Sequence, residues 1–305
     1  MVKKIGFVGS GAIGATSAYA TLSLVNVDEI VMYDIFKGPA EGHAMDLSTS
    51  AIAFGKRTRV RGTDDFSELA GADLLVVSAG FPRKPGMTRL DLLEKNVQVL
   101  RDVATKTKEH CPDAIFLLVS NPVDVLLSVC QDILDFPRER IFGMSSLHDS
   151  VRLNDLLTDA GITDSQAVIL GEHGETMFPV PSLSTGTGID GVDWDDLETR
   201  TRGRAMEIIE RKGATSWAPG ACVARMVRAV VDDTHEEIPA CCLLEGEYGY
   251  KDVSIGVPAV FGRKGMLEIK EYDLSDDEKT KMKKTVETVR QKIEEARELK
   301  TQATA

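Results

Sequence analysis

The stretch from Val2 to Asp34 leaves this chain little choice in how it begins to fold. An apolar, β-rich run from Val2 to Val8 leads into Gly9-Ser10-Gly11-Ala12-Ile13-Gly14. That hexad opens a helical stretch from Ala12 to Leu24, and a second β-rich run, Glu29 to Tyr33, ends on Asp34, 20 residues after Gly14. A GxGxxG hexad alone means little, because glycine-rich hexads arise by chance. Between a strand and a helix, with an acid at that distance, it is the fingerprint of a βαβ unit that holds a dinucleotide. Gly9 permits the tight turn, Gly11 lets the backbone approach a pyrophosphate, and Gly14 lets helix and strand pack closely. The helix N-terminus at Ala12 and Ile13 then offers free N–H groups and positive partial charge to the phosphates. Asp34 would accept hydrogen bonds from the adenosine ribose and repel a 2′-phosphate, which predicts NAD rather than NADP. No GxxxxGK[ST] occurs, so a P-loop kinase or NTPase is excluded.

The alternation continues. Thr58 to Gly62, Asp73 to Ser78 and Ala114 to Ser120 read as further strands, and Arg89 to His110 and Pro122 to Leu134 as crossover helices. Leu74 to Val77 and Ile115 to Val119 are continuously apolar, as strands buried on both faces must be. This predicts an α/β fold, a doubly wound parallel (Rossmann) sheet. After Gly143 the texture changes. Val151 to Ala160, Trp194 to Arg211 and Ala221 to Val231 read as helices, and Ala167 to Leu170 as a short strand. Ile238 to Leu244 and Val253 to Phe261 read as antiparallel strands. Ser275 and Glu278 form a capping box before a closing helix whose apolar residues, Met282, Val286, Val289, Ile293, Ala296 and Leu299, mark a core-facing stripe. The expected division is a dinucleotide-binding domain over 1–143 and a mixed α+β catalytic domain over 144–305. A chain of 305 residues has room for both.

Charge narrows the partners. Acids outnumber bases 48 to 36, for a net charge of −12. Such a surface repels phosphate backbones and anionic lipid, so neither nucleic acid nor membrane is expected as a partner. No apolar run reaches the length of a membrane span. Lys3 and Lys4 before an apolar run imitate a signal peptide, but the run turns glycine-rich without a cleavage site. The five cysteines, an odd number without CxxC spacing, predict neither a disulfide framework nor a bound metal, and fit a reducing, cytoplasmic setting.

Four segments carry the chemistry. Gly80 to Arg89, with Arg83, Lys84 and Arg89 between glycines and prolines, follows a buried strand at the sheet edge where ligands sit. Asn121-Pro122 follows the next strand at the same edge. Asp149 and Arg152, three apart, share a helix face. His173 lies in the glycine-flanked turn Gly171-Glu172-His173-Gly174. Singly, each has a plain reading: a solvated basic loop, an ordinary helix pair, a surface histidine. Beside a dinucleotide fold they supply an acid–base, its orienter, carboxylate clamps and a polar amide.

In these segments the chain resembles the lactate/malate dehydrogenase family, and within it the lactate-dehydrogenase-like malate dehydrogenase branch. The matching motifs are GSGAIG with Asp34, AGFPRKPGMTRLDLL, SNPVD, HDSVR, GEHGE, RKGATSWAP and EGEYGYKDVSIGVPAV, in the family's order over nearly all the chain. The resemblance implies NAD as cofactor and a small dicarboxylate as substrate. It makes His173 the general acid–base and Asp149 the partner that fixes its tautomer. Arg152 would be the clamp on the C1 carboxylate, and Arg89 the group that polarises the C2 oxygen. Asn121 would orient that oxygen and the nicotinamide, and Asn96 joins it among the cofactor-binding residues. Arg83 stands where malate enzymes carry an arginine for the second carboxylate and lactate enzymes an uncharged residue. The resemblance further implies a homotetramer or homodimer.

The chain departs from the family at His148, where an apolar residue usually precedes the catalytic aspartate. His148 is either a space-filling wall residue or a second ionisable group. A lactate or broader 2-hydroxyacid dehydrogenase is the nearest alternative, separated by Arg83. Metal-dependent glycosidases of related fold would need a cysteine–histidine metal site, which the segment after Asn121 lacks. A non-catalytic NAD-binding sensor would have lost some of the catalytic groups, and all are present.

Overall fold

One nine-stranded sheet organises the molecule, seen in a computed structural model that describes residues 2–81 and 89–302. In chain order the elements are β1 (Lys4–Val8), α1 (Ala12–Leu24), β2 (Glu29–Tyr33), α2 (Lys37–Ala53), β3 (Arg59–Thr63), β4 (Leu74–Val77), α3 (Arg89–His110), β5 (Ile115–Leu118) and α4 (Val123–Leu134). These are followed by β6 (Ile141–Gly143), α5 (Ser146–Asp159), β7 (Ile169–Leu170), β8 (Phe178–Pro179), α6 (Trp194–Lys212), α7 (Trp217–Val231), β9 (Glu236–Glu245), β10 (Lys251–Gly262), β11 (Gly265–Ile269) and α8 (Asp276–Gln302). The first six strands are parallel in the order β3-β2-β1-β4-β5-β6, the doubly wound order of a dinucleotide-binding sheet. Every residue of β4 and β5 is buried, as their unbroken apolar runs require.

The sheet does not stop at β6. Gly143 pairs antiparallel with Cys241, which joins β9, β10 and β11 to the parallel half. β9 and β10 form the expected antiparallel pair, with Val253 opposite Leu244 and Ala259 opposite Ile238. Gly256 of β10 exchanges both backbone hydrogen bonds with Gly171, at 2.9 Å each. A Cβ on Gly256 would lie 1.8 Å from Ser146 Oγ and 2.8 Å from Gly171 O, so only glycine lets these segments meet. Below the sheet, α8 buries Met282, Val286, Val289, Ile293 and Ala296. Its capping box is formed: Ser275 N–H donates to Glu278 Oε2 at 2.7 Å, and Glu278 N–H to Ser275 Oγ at 3.3 Å.

Several elements differ from expectation. α2 was not legible because Gly38, Pro39 and Gly42 read as helix breakers. Pro39 sits in the first turn, where no backbone N–H needs a partner. α5 begins at Ser146 rather than Val151. Its first turn carries polar residues on a buried face, so its hydrophobic periodicity starts late. β6 and β11 are short strands that periodicity does not reveal. No described helix is long and apolar enough to cross a membrane.

Candidate active site

The turn between β1 and α1 is built as its glycines demand. Gly9 has φ +99°, and a Cβ on Gly14 would lie 1.9 Å from Gly9 O. Around Gly11 the space is open: a Cβ there would meet nothing within 4 Å. α1 has no side-chain N-cap and no acid in its first turn, so its leading N–H groups and positive end are left to an outside anion. Asp34 closes the pocket from the end of β2. Its Oδ2 accepts Ser10 N–H at 2.7 Å and its Oδ1 accepts Phe36 N–H at 3.0 Å. Each oxygen keeps a further lone pair for a ribose hydroxyl. These residues fit a dinucleotide pyrophosphate and ribose. Asp34→Ser is expected to raise kcat/KM with NADP relative to NAD by about tenfold or more, since juxtaposing like charges costs several kcal/mol. Equal kcat/KM for the two coenzymes in the unmodified protein would sink this assignment.

The other end of the site lies beyond the carboxyl ends of β4 and β5. Ser120 Oγ donates to Ala79 O at 2.6 Å, locking the two strand ends together. Asn96 of α3 is buried. Its Oδ1 accepts Phe81 N–H at 2.7 Å and its Nδ2 donates to Asn121 O at 2.9 Å. It therefore braces the loops after β4 and β5, while Asn121 itself is exposed and follows β5 into a cis peptide bond with Pro122. Arg83 lies outside the described residues, as does the side chain of Arg89, whose backbone opens α3.

The histidine–carboxylate pair assembles from the second half of the chain. His173 Nδ1 is 2.6 Å from Asp149 Oδ2, and Asp149 is fully buried at the start of α5. An ionised carboxylate only accepts, so Nδ1 carries the hydrogen and Nε2 keeps the lone pair. Burial alone would lower the pKa of His173. The Asp149 charge and hydrogen bond, helped by Asp124, outweigh burial and raise it above the ordinary value of 6.5. In Asp149, burial is in turn overcome by the imidazole, and its carboxyl is held below the usual range. Arg152, one helical turn on, stands 3.5 Å from Asp149 Oδ1 through one guanidinium nitrogen. Its side chain is only 9% exposed, and its Nε has no hydrogen-bond partner among the described residues. With His173 protonated, Asp149, Arg152 and His173 sum to one positive charge, and the guanidinium is left with unspent donors. A buried cation in that condition calls for an anion.

Four groups that support the histidine were not singled out from sequence. Asp124 of α4 is buried, and its Oδ2 accepts His173 N–H at 2.8 Å. Burial and the neighbouring Glu172 push its carboxyl up to about 7, against the pull of that N–H. Glu172, also buried, is ion-paired with Lys292 of α8 and accepts Thr176 Oγ1–H at 2.7 Å. Thr285, also of α8, accepts Glu172 N–H at 2.9 Å. The histidine turn is thus pinned from α4 and from α8, which makes the closing helix more than a core stripe. One signal was available: Asp124 is an acid in the otherwise apolar run Val123 to Leu127, where an exposed helix face is not expected. Among the described residues no cluster of metal ligands occurs, and all five cysteines are unpaired and buried.

A dinucleotide-binding sheet with a buried histidine–carboxylate dyad and an unspent guanidinium beyond its strand ends defines a nicotinamide-dependent oxidoreductase of hydroxy acids. Residues 3–143 match the lactate/malate dehydrogenase NAD binding domain, and residues 147–300 match the family's alpha/beta C-terminal domain. The chain belongs to the lactate/malate dehydrogenase family. A malate dehydrogenase from Archaeoglobus fulgidus is 43% identical over 293 residues, covering 96% of this chain and 99% of its own length. One from Salinibacter ruber is 35% identical over 307 residues, covering 97% and 98%. The solved structure of the Archaeoglobus fulgidus malate dehydrogenase in complex with NADH superposes with a TM-score of 0.93 at 43% identity, over 96% of this chain and 99% of that one. NAD is the cofactor of this family's N-terminal domain, and the uncapped start of α1 with Asp34 beside it is where this chain would hold it.

Proposed function

We propose that the protein interconverts malate and oxaloacetate with NAD, residues 1–143 holding the cofactor and residues 144–305 supplying the acid–base. The observation that carries the reading is the buried Asp149–Arg152–His173 set, in which the guanidinium Nε and the imidazole Nε2 have no hydrogen-bond partner among the described residues. The bound nicotinamide supplies a hydride acceptor, or a donor in reverse. Arg152 grips the C1 carboxylate as a fork. His173 Nε2 takes the C2 hydroxyl proton during oxidation and returns it during reduction, while Asp149 stabilises the imidazolium. Arg89 polarises the C2 oxygen, and Asn121 orients it against the cofactor. Asn96 holds Asn121 in place through its backbone carbonyl.

Malate over lactate rests on Arg83, a counter-charge for a second carboxylate, and on the relatives' being malate dehydrogenases. NADH oxidation measured side by side with oxaloacetate and pyruvate tests it. Oxaloacetate is expected to give the higher kcat/KM, and a preference for pyruvate would replace this reading with a lactate or broader 2-hydroxyacid dehydrogenase. Assembly as a homodimer or homotetramer belongs to the same proposal. It is supported by Met45 and Ile52, which leave large apolar side chains exposed on α2. A cytoplasmic setting is supported by the five unpaired cysteines.

A further inference from the structure

His148 is the position at which this chain leaves its family's pattern, and the structure puts it inside the site. It lies on α5 four residues before Arg152, so the two share a helix face. Its residue exposure is 3%, and its ring centroid is 6.1 Å from that of His173. Neither ring nitrogen has a hydrogen-bond partner among the described residues. Neither nitrogen is sealed off as a fully buried, unpartnered atom, so the ring keeps an edge open to a bound acid.

We propose that His148 is a further substrate-positioning residue, its ring N–H donating to the carboxylate of the bound acid that Arg152 also grips. The inference rests on the 2-hydroxyacid reading of the same site. Burial, the Arg152 guanidinium and the His173 imidazolium, against the pull of Asp149, push the pKa of His148 down to about 3. It therefore works as a neutral donor and leaves proton transfer to His173. An uncharged donor beside a buried guanidinium adds direction to carboxylate binding without a second cation, whose repulsion from Arg152 and protonated His173 would weaken the site. The wall residue and the ionisable group expected from sequence thus resolve into a third role: an uncharged polar contact.

His148→Leu keeps the volume and removes the donor. The expected result is a rise in KM of about 10- to 100-fold for oxaloacetate and for pyruvate alike, because both carry the carboxylate next to the reacting carbon. Turnover at saturation, NADH binding and the pH midpoint of the rate should stay unchanged. His148→Gln, which retains an N–H donor, should recover part of the lost affinity. If His148→Leu does not fold, His148→Met makes the same comparison. An unchanged KM in a folded donor-free variant would overturn the proposal and leave a packing role. A displaced pH midpoint with unchanged KM would overturn it too, by making His148 an electrostatic partner of His173. Failure of the malate reading is seen separately, in the oxaloacetate-to-pyruvate ratio of the unmodified protein.

Discussion

His173→Ala is expected to lower turnover roughly 100- to 10,000-fold in both directions, the range spanned by removal of a positioned acid–base. NADH binding should stay close to normal, because the turn at Gly9 to Gly14 and Asp34 lie at the other end of the site. The size of the loss follows from how much of the local structure serves this one ring. Asp149 orients it through a 2.6 Å bond, Asp124 holds its backbone N–H, and Glu172 with Lys292 fixes the turn that carries it. His148, whose ring lies beside it, is held neutral. A His173→Ala protein with near-normal kcat would place the acid–base elsewhere.

The pH profile of the intact protein tests the same assignment with a definite sign. Oxidation of the alcohol needs neutral His173, which predominates only above its folded pKa. That pKa lies above 6.5, because the Asp149 charge and hydrogen bond outweigh burial. Oxidation should therefore rise as pH climbs through the raised value, and reduction, which needs the imidazolium, should fall over the same interval. Asp124, pushed to about 7 by burial and Glu172, ionises in the same region, and its negative charge favours the imidazolium. The observed midpoint belongs to the coupled set rather than to His173 alone.

What could be read from the chain, and what could not, divides along physical lines. The β1 turn, Asp34 and the buried strands β4 and β5 were legible because each is a local pattern: a hexad between a strand and a helix, an acid at a fixed distance, unbroken apolar runs. The dyad and Arg152 were legible as residue types but not as a geometry, since 24 residues separate His173 from Asp149. The bridge between Gly171 and Gly256 and the bond that Ile169 N–H donates to Ser150 Oγ of α5 at 2.9 Å bring the histidine turn to α5. Asp124, Glu172 and Lys292 were missed because their roles are long-range: Lys292 lies 120 residues from the carboxylate it pairs with. The start of α5 was misplaced for a related reason. His148 and Asp149 are polar residues on a buried face, so they break the hydrophobic pattern that otherwise marks a helix.

Arg83→Gln is expected to depress oxaloacetate reduction roughly 30- to several-thousand-fold in kcat/KM. A dicarboxylate differs from pyruvate by one distal charge, and the proposed reading gives Arg152 the carboxylate the two acids share. The distal charge, once out of water, needs its own cation, and Arg83 is the residue that the family resemblance assigns to it. Removing one partner from a buried ion pair costs about 2–5 kcal/mol, and each 1.4 kcal/mol is about a decade in rate. Pyruvate offers a methyl group there, so its reduction should be unchanged or improved. Arg89→Gln is the control with the opposite pattern: it should damage both substrates, because both present the same C2 carbonyl. Measuring kcat/KM for the two keto acids with the two variants separates the roles. If Arg83→Gln left the oxaloacetate-to-pyruvate ratio where it was, residue 83 would carry no specificity, and the preference for malate would lose its physical basis in this chain.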